Sequence, residues 1–496
     1  MNGSLKKNKS EFFLFLFIFG GLKRMKELKE KMHHRLYEDL ISICGSKYVS
    51  DEEFVRRGYT RTPSISSGGR VRGLTPGIVV RPGSTEEVSE IMNLANRELV
   101  PVVPKGGGGS VTISPPLHVG TSENILIDTT RMNKIIEIDE ETMRATAECG
   151  IILSTFSAAV KRRGFHLYTT DVPVHMDTLG GVLSGFCGGG EPSDMCTAGC
   201  LNNYVLGLKV VLPKGDIIQT GGGPGTNIFL NKILHREAGT PDLTGMFIGD
   251  GGIFGVKTEA TLTIKPFPKT YLVGTYKMGS RENMWKAFSK LVAMDPYPYT
   301  RLIMYDKEWL LFYVISEYFD EIAEFKEKIV RDTCISYGGE DAGTAGLEIS
   351  KAFSARELGK EEATRGTLTY FGEAIVPRWT ALEYIDSLET LLDRTFQPSE
   401  ITMRAGFIVP YLRATAIAGV LVYFSKDTPN LADRMFESMT GFIGLFAERG
   451  GFIEANQGEA AIGCAAFWSP SYRSFVQSLK NALDPNNILM PGLWGF

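Results

Sequence analysis

Three glycine-rich segments constrain this chain more than any other feature of its sequence. They are Gly106 to Gly109, the group Gly180, Gly181, Gly185, Gly188, Gly189 and Gly190, and the stretch Gly249 to Gly255. Glycine is required where a backbone approaches a ligand closely or takes a positive φ. Four consecutive glycines after a strand can present successive N–H groups as an anion-binding concavity. Lys105 stands at the edge of the first run, and a diphosphate is the natural guest. One such run alone reads equally well as a flexible loop. Three in one region favour an extended ligand. Neither standard nucleotide signature accompanies them. Gly249-x-Gly251 lacks its third glycine because position 254 is Phe, and no glycine run ends in Gly-Lys-Ser/Thr.

The elements around the glycines suggest an α/β beginning. Gly77 to Pro82 reads as a short buried strand. Thr85 reads as an N-cap, with Glu86, Glu87 and Glu90 in the opening turns of a helix to about Asn96. Leu99 to Val103 and Ile125 to Asp128 read as further strands, followed by Ile135 to Ile138 and Arg144 to Glu148. A helix from Leu153 to about Arg163 ends at Gly164. Val205 to Leu212 is a strand, and Lys214-Gly215-Asp216 turns it into Ile217 to Thr220. Glu259 to Lys265 is the last strand of this region. After Pro268 the glycines thin out, and strand-like runs such as Leu310 to Ile315 alternate with charged helices such as Asp320 to Arg331. An amphipathic helix from Tyr472 leads into a tail ending at Phe496.

A chain of 496 residues exceeds one core. A net charge of −4 gives nucleic acid no basic surface. Seven cysteines over this length do not suggest a disulfide framework, so a reducing, cytoplasmic location is expected. Phe12 to Phe19 is an apolar run between Lys6, Lys7, Lys9 and Lys23, Arg24. It is about half of what a spanning helix needs, and no small-residue cleavage site follows it. The expected reading is a protein that starts at Met25. A peripheral membrane anchor is the alternative.

Several motifs resemble the FAD-binding domain of the vanillyl-alcohol oxidase and p-cresol methylhydroxylase superfamily, which includes glycolate oxidase and D-lactate dehydrogenase subunits. They are Val79-x-Arg81-Pro82 with Ser84 to Val88, Pro101 to Gly108, and Asp177-Thr178-Leu179-Gly180-Gly181. Tyr204 to Leu208, Phe247 to Gly249 and Gly255 to Ala260 complete the domain. The tail Leu483 to Gly492 resembles the family's return to the flavin. The resemblance implies an α+β fold: a two-part FAD-binding domain and an α+β cap with an antiparallel sheet. The expected divisions are an extension 1–24, the FAD domain 25–270 with its core at 75–268, a substrate cap 271–442, and a C-terminal return 443–496. It also implies roles. Lys105, Gly106, Gly107, Gly108, Gly109 and Ser110 would hold the pyrophosphate. Thr178, Gly180, Gly181 and Ser184 would line the flavin. Gly255 and Val256 would meet the adenosine half, and Asn487 would touch the cofactor from the tail. Some relatives tether FAD through a histidine, but 106–110 holds only glycine and serine, so non-covalent FAD is expected.

The chain also departs from that family. All six histidines (His33, His34, His118, His166, His175 and His235) precede the cap. The 2-hydroxyacid branch usually carries a metal there, held by two histidines and a glutamate beside a histidine base. The matching place reads Ala455-Asn456-Gln457-Gly458. Amides cannot act as a base, and a metal would lose its anionic ligand, so no metal is expected. Ala374 to Arg378 does resemble the motif whose arginine faces a substrate carboxylate, which a guanidinium can clamp with two parallel hydrogen bonds. Arg404 and Arg413 lie where the metal histidines would be and are candidates for positive charge.

His175, just before Thr178, is a candidate base or a structural residue. The aromatic-alcohol branch is the rival. The ending Pro491 to Phe496 resembles it, but its Tyr-Arg pair aligns near Ala455-Asn456 and is missing. Tyr472-Arg473 matches only in letters. Cys187, Cys196 and Cys200 lack the fourth ligand of an iron–sulfur cluster and read as buried or redox-active thiols. The expected activity is hydride transfer from a hydroxyl-bearing carbon, as in a 2-hydroxy acid, to FAD. Arg378, His175 and Arg404 are the candidate catalytic residues, and a partner protein or quinone is the expected electron acceptor. Oxidation of a phenolic alcohol and a non-catalytic electron-transfer subunit are the alternatives. A homo-oligomer is left open.

Overall fold

The computed structural model describes residues 30–59, 75–108, 124–167, 177–185, 196, 199–295, 298–305, 307–343, 367–425, 427–452 and 463–496. Four short strands form the first sheet: β1 (Val49–Ser50), β2 (Ile78–Val80), β3 (Val102–Lys105) and β4 (Ile125–Asp128), in the order β1-β2-β4-β3. The pairs β2–β4 and β3–β4 are parallel. Parallel neighbours need a crossover, and the helix Thr85–Glu98 supplies it between β2 and β3. Val88, Ile91, Met92 and Ala95 recur at helical spacing and are all buried. The N-cap is Ser84 rather than Thr85. Its hydroxyl accepts the Glu87 N–H at 3.2 Å, and Thr85 is the first helical residue. The helix continues past Asn96 to Glu98, Leu99 takes φ 55, and the second strand starts only at Val102.

The second sheet is antiparallel: β5 (Ile135–Asp139), β6 (Arg144–Glu148), β8 (Val205–Val211), β9 (Ile217–Gln219) and β10 (Val256–Thr263), in the order β5-β6-β10-β8-β9. β7 (Phe165–His166) and β11 (Lys265–Pro266) pair separately. The C-terminal tail returns to the first sheet. Leu489 bridges Val102 in parallel. The Val102 N–H donates to the Ile488 carbonyl at 2.7 Å, and the Met490 N–H donates to the Val102 carbonyl at 2.9 Å. One hydrophobic cluster unites both sheets with Ile488, Leu489, Met490, Leu493 and Trp494.

The cap is a seven-stranded antiparallel sheet: β12 (Thr270–Met278), β13 (Tyr299–Tyr305), β14 (Glu308–Glu317), β15 (Gly339–Asp341), β16 (Thr367–Pro377), β17 (Ile401–Tyr411) and β18 (Thr415–Phe424), in the order β15-β12-β14-β13-β17-β18-β16. The helices Arg281–Val292, Asp320–Ser336, Ala381–Thr395 and Leu431–Ala447 pack on it. Side chains alternate across a strand, and three contacts sort the faces. A Cβ on Gly406 would meet Ile385 of the helix Ala381–Thr395 at 2.9 Å. The Tyr313 hydroxyl reaches Glu327 of the helix Asp320–Ser336 at 3.0 Å. Phe371 packs edge-on against Phe442 of the helix Leu431–Ala447. The cap residues form a second hydrophobic cluster, which also takes in Cys196 and Cys200 from the first half of the chain.

Candidate cofactor and substrate site

The three glycine segments meet in space. A Cβ on Gly106 would sit 2.0 Å from Thr178 Oγ1, so only glycine lets the first segment lie against the second. Thr178 caps the helix Leu179–Ser184, its hydroxyl accepting the Gly181 N–H at 3.2 Å. The Gly180 N–H donates to the Cys149 carbonyl at 2.7 Å. The third segment joins the far end of the same helix: the Gly249 N–H donates to the Leu183 carbonyl at 2.9 Å and the Gly251 N–H to the Ser184 carbonyl at 2.8 Å. Val256 opens β10 of the second sheet, and Gly255 directly precedes it. A Cβ on Gly255 would be 2.4 Å from Val210 Cγ1, and Val256 is buried opposite Val211. Close strand packing therefore accounts for that glycine.

Lys105 lies under the first segment. A Cβ on Gly108, which takes φ +70, would be 2.6 Å from Lys105 Nζ. The ammonium sits 5.3 Å from the centre of the Tyr59 ring, whose hydroxyl donates to Asp128 at 2.7 Å. Burial pulls the Lys105 pKa below its ordinary value, against the opposing pull of Asp128. No carboxylate lies within ion-pair distance of Lys105 among the described residues, as far as Asp128 reaches it only through space. A cation with no paired carboxylate among the described residues, beside a glycine loop, fits a diphosphate. Sequence reading missed Tyr59, because nothing local marks it as lying beside the loop. Gly109, Ser110, His175, Cys187, Asn456 and Gln457 fall outside the described residues.

Asn487 lies at the end of β3 opposite the first glycine segment. Because the tail runs parallel to β3, with Leu489 beside Val102, Asn487 lies at the start of that strand. Its neighbour Asn486 donates to Asn96 at the end of the first helix at 2.8 Å. Gly106 follows the other end of β3. At ~3.3 Å per residue the separation is on the order of 20 Å. Met490 meets the third glycine segment, its Cγ lying 3.7 Å from where a Cβ on Gly252 would be.

In the cap, Arg378 follows the end of β16. Its N–H donates to the Ala414 carbonyl at 2.9 Å, tying it to the β17–β18 turn. The same turn meets the first half of the chain: Tyr411 Oη lies 3.7 Å from Cys200 Sγ, and Leu412 would touch a Cβ on Gly199 at 3.4 Å. The Arg378 side chain is half-buried, and its Nη1 is buried with no hydrogen-bond partner among the described residues. Burying such a donor unpaired is costly, so the position suits an incoming anion.

Arg404 does not share this position. It lies two residues from Gly406 on the helix-covered face and pairs with Asp393 of the helix Ala381–Thr395. The face is fixed by the two-residue period of β17, which points Arg404 away from Tyr411. Arg413, in the turn, pairs with Asp295 at 3.7 Å. Arg473 lies over the Phe496 ring and donates to the Gly495 carbonyl at 3.3 Å, a structural role. Sequence reading also missed Arg301. It shares the Tyr411 face, two residues from Ile303, which pairs with Phe407, and it is already engaged by a neighbour.

With this geometry in view, residues 76–221 match the model of the FAD binding domain family. The fold is similar to that of p-cresol methylhydroxylase with substrate bound, with a TM-score of 0.74 at 16% identity over 93% of this chain and 96% of that one. The chain is 32% identical over 235 residues to the glycolate oxidase subunit GlcD of Bacillus subtilis (strain 168), covering 47% of this chain and 45% of that protein. It is 29% identical over 202 residues to D-lactate dehydrogenase of Anaerostipes hadrus, covering 40% of this chain and 38% of that protein. The chain thus spans less than half the length of these two relatives. Its fold is similar to that of 4-ethylphenol oxidase from Gulosibacter chungangensis, with a TM-score of 0.75 at 18% identity over 93% of this chain and 97% of that one. The FAD domain is followed by the large antiparallel cap sheet that such structures share. No helix among the described residues is long and apolar enough to cross a membrane.

Proposed function

We propose that this protein is an FAD-linked oxidoreductase that oxidises a hydroxyl-bearing carbon beside a carboxylate, as in a 2-hydroxy acid. The observation that carries this reading is the buried Nη1 of Arg378, unpartnered among the described residues, at the end of the cap sheet that meets the FAD domain. A planar guanidinium can grip a carboxylate through two parallel hydrogen bonds and so orient the adjacent C–H. When bound, FAD supplies the two-electron acceptor for the hydride. Lys105 and the N–H groups of the first glycine segment would hold its diphosphate, and the capped helix Leu179–Ser184 would support the second segment against it. The reaction needs the hydroxyl proton to leave as the hydride does, and His175 is one candidate for receiving it. The electrons would then pass to a partner protein or quinone.

The similarity to glycolate oxidase and D-lactate dehydrogenase subunits supports this reading. A second reading, oxidation of a phenolic alcohol, draws on the apolar cap face and on the similarity to 4-ethylphenol oxidase. Anaerobic mixing of the holoenzyme with a panel of 2-hydroxy acids and phenolic alcohols separates the two. Bleaching of the flavin by a 2-hydroxy acid is expected. Bleaching by phenols alone would replace the first reading with the second, and bleaching by neither would favour an electron-transfer subunit.

A further inference from the structure

Lys105 and Asp128 stand opposite each other at the ends of the parallel strands β3 and β4. Neighbouring strands lie about 4.8 Å apart, and register partners point to one face, so an ammonium and a carboxylate placed this way would ordinarily pair. Here they attract each other only through space, and no ion pair joins them among the described residues. The carboxylate is engaged by other donors instead. Its Oδ1 accepts the Thr130 N–H at 2.9 Å and the Thr130 hydroxyl at 2.6 Å. Its Oδ2 accepts the Tyr59 hydroxyl at 2.7 Å and faces Arg81 Nε at 3.4 Å. Asp128 is 6% exposed, so solvent has little access to these positions. We propose that Tyr59 is a positioning residue for the cofactor: it occupies Asp128, and so leaves the Lys105 ammonium free for a diphosphate at the first glycine segment. The proposal rests on Lys105 as the cation that meets the diphosphate.

Tyr59 comes from outside the sheet, directly after the helix Glu53–Gly58. Its ring and its hydroxyl have separate effects. The ring centre lies 5.3 Å from Lys105 Nζ, and an aromatic face attracts a cation without neutralising it. The hydroxyl takes the place on Oδ2 that the ammonium would otherwise take. Burial, together with the hydrogen bond to Asp128, pushes the Tyr59 phenol above its ordinary pKa, so it stays a donor. The ammonium is left under the loop, 2.6 Å from where a Cβ on Gly108 would be. There it can meet a phosphate oxygen with a charge-assisted hydrogen bond, beside the N–H groups of the glycines. Without the Tyr59 hydroxyl, Oδ2 is open to Lys105, and the diphosphate must compete with Asp128 for the ammonium.

Serial dilution of the holoenzyme, with released FAD read by its fluorescence, gives the Kd. Tyr59→Phe keeps the ring and loses the donor. It should raise the Kd at least about fivefold, within what a hydrogen bond to a charged group contributes. In a Lys105→Met background the same substitution should change the Kd by less than about twofold, because Tyr59 acts through the ammonium. Adding Asp128→Asn to Tyr59→Phe should recover most of the loss. Asparagine still caps the turn Thr129–Arg131 but carries no charge to capture Lys105. A purely structural Tyr59 would weaken FAD equally with and without Lys105, and Asp128→Asn would add to the damage. That result, or a Tyr59→Phe Kd within about twofold of the wild type, overturns the inference while leaving Lys105 at the diphosphate. If Lys105→Met alone leaves the Kd within about threefold, the reading of Lys105 falls and this inference falls with it.

Discussion

At the scale of single residues, the site depends on where atoms are missing as much as on where they stand. Gly106 has no Cβ to strike Thr178 Oγ1, a position only 2.0 Å away. Gly106→Ala should therefore part the first two glycine segments and raise the FAD Kd at least about tenfold, the equivalent of ~1.4 kcal/mol. Titration of apoprotein with FAD, followed by flavin fluorescence, measures it. Thr178→Ala removes the offending oxygen at the cost of a helix cap, about 1 kcal/mol. The double variant should bind FAD more tightly than Gly106→Ala alone. Arg378 is the opposite case, a donor whose partner must come from outside. Losing one side of a buried charge pair costs about 2–5 kcal/mol, and lysine keeps the charge without the planar fork. Arg378→Lys should lower kcat/KM for a 2-hydroxy acid roughly 30-fold or more, as ~2 kcal/mol requires, with FAD content unchanged. A change within about threefold would remove Arg378 as the clamp.

At the scale of elements, the tail is held by a buried ion pair. Lys480 and Asp484, on the helix Pro470–Leu483 and at its end, are paired and almost wholly shielded from solvent. Lys480 also donates to the Leu489 carbonyl at 2.6 Å and the Ile253 carbonyl at 3.4 Å, and Asp484 accepts the Ile488 and Leu489 N–H groups at 3.0 and 2.9 Å. The pair thus fastens the strand beside β3 to the third glycine segment. A second buried pair, Lys257 of β10 with Asp250 of that segment at 2.6 Å, ties the segment to the second sheet. Lys480→Met leaves a buried carboxylate without its cation, a loss of about 3–5 kcal/mol. Denaturant should then release flavin fluorescence at a lower concentration than in the wild type. Lys480→Met with Asp484→Asn should recover part of that loss, and an unchanged release midpoint in Lys480→Met would show that the pair does not hold the tail. Sequence reading found the helix and the tail motif but not their direction. The letters around Asn487 do not say that Leu489 pairs with Val102 in parallel, which sets Asn487 at the opposite end of β3 from Gly106. Arg404 failed for a similar reason: the order of residues placed it on the right strand, and only the contact of Gly406 with Ile385 reveals which face it occupies. Ser84 displaced Thr85 as the cap by one residue, because either side chain can accept the same N–H.

At the scale of the whole molecule, the division into a glycine-rich cofactor half and a glycine-poor cap was legible, because close backbone approach and antiparallel strand packing leave different compositions. Gly106, Thr178, Gly180 and Gly249, far apart in sequence, are brought together as an extended ligand would require. The meeting of the halves at Cys200 and Tyr411 was not legible, since neither residue has a local pattern that names its partner. The same composition bears on how the cofactor is kept. Positions 106–110 contain only glycine and serine, and no histidine occurs from 271 to 496. These segments offer no histidine for a covalent flavin, and the expectation is non-covalent FAD held by the glycine backbone and Lys105. Acid precipitation destroys both at once. The yellow colour should pass into the supernatant as free FAD, identified by its retention on chromatography and by the rise in fluorescence when it is cleaved to FMN. Colour that stays with the denatured pellet through washing would mean a covalent bond through another side chain, and proteolysis followed by mass spectrometry of the yellow peptide would locate it.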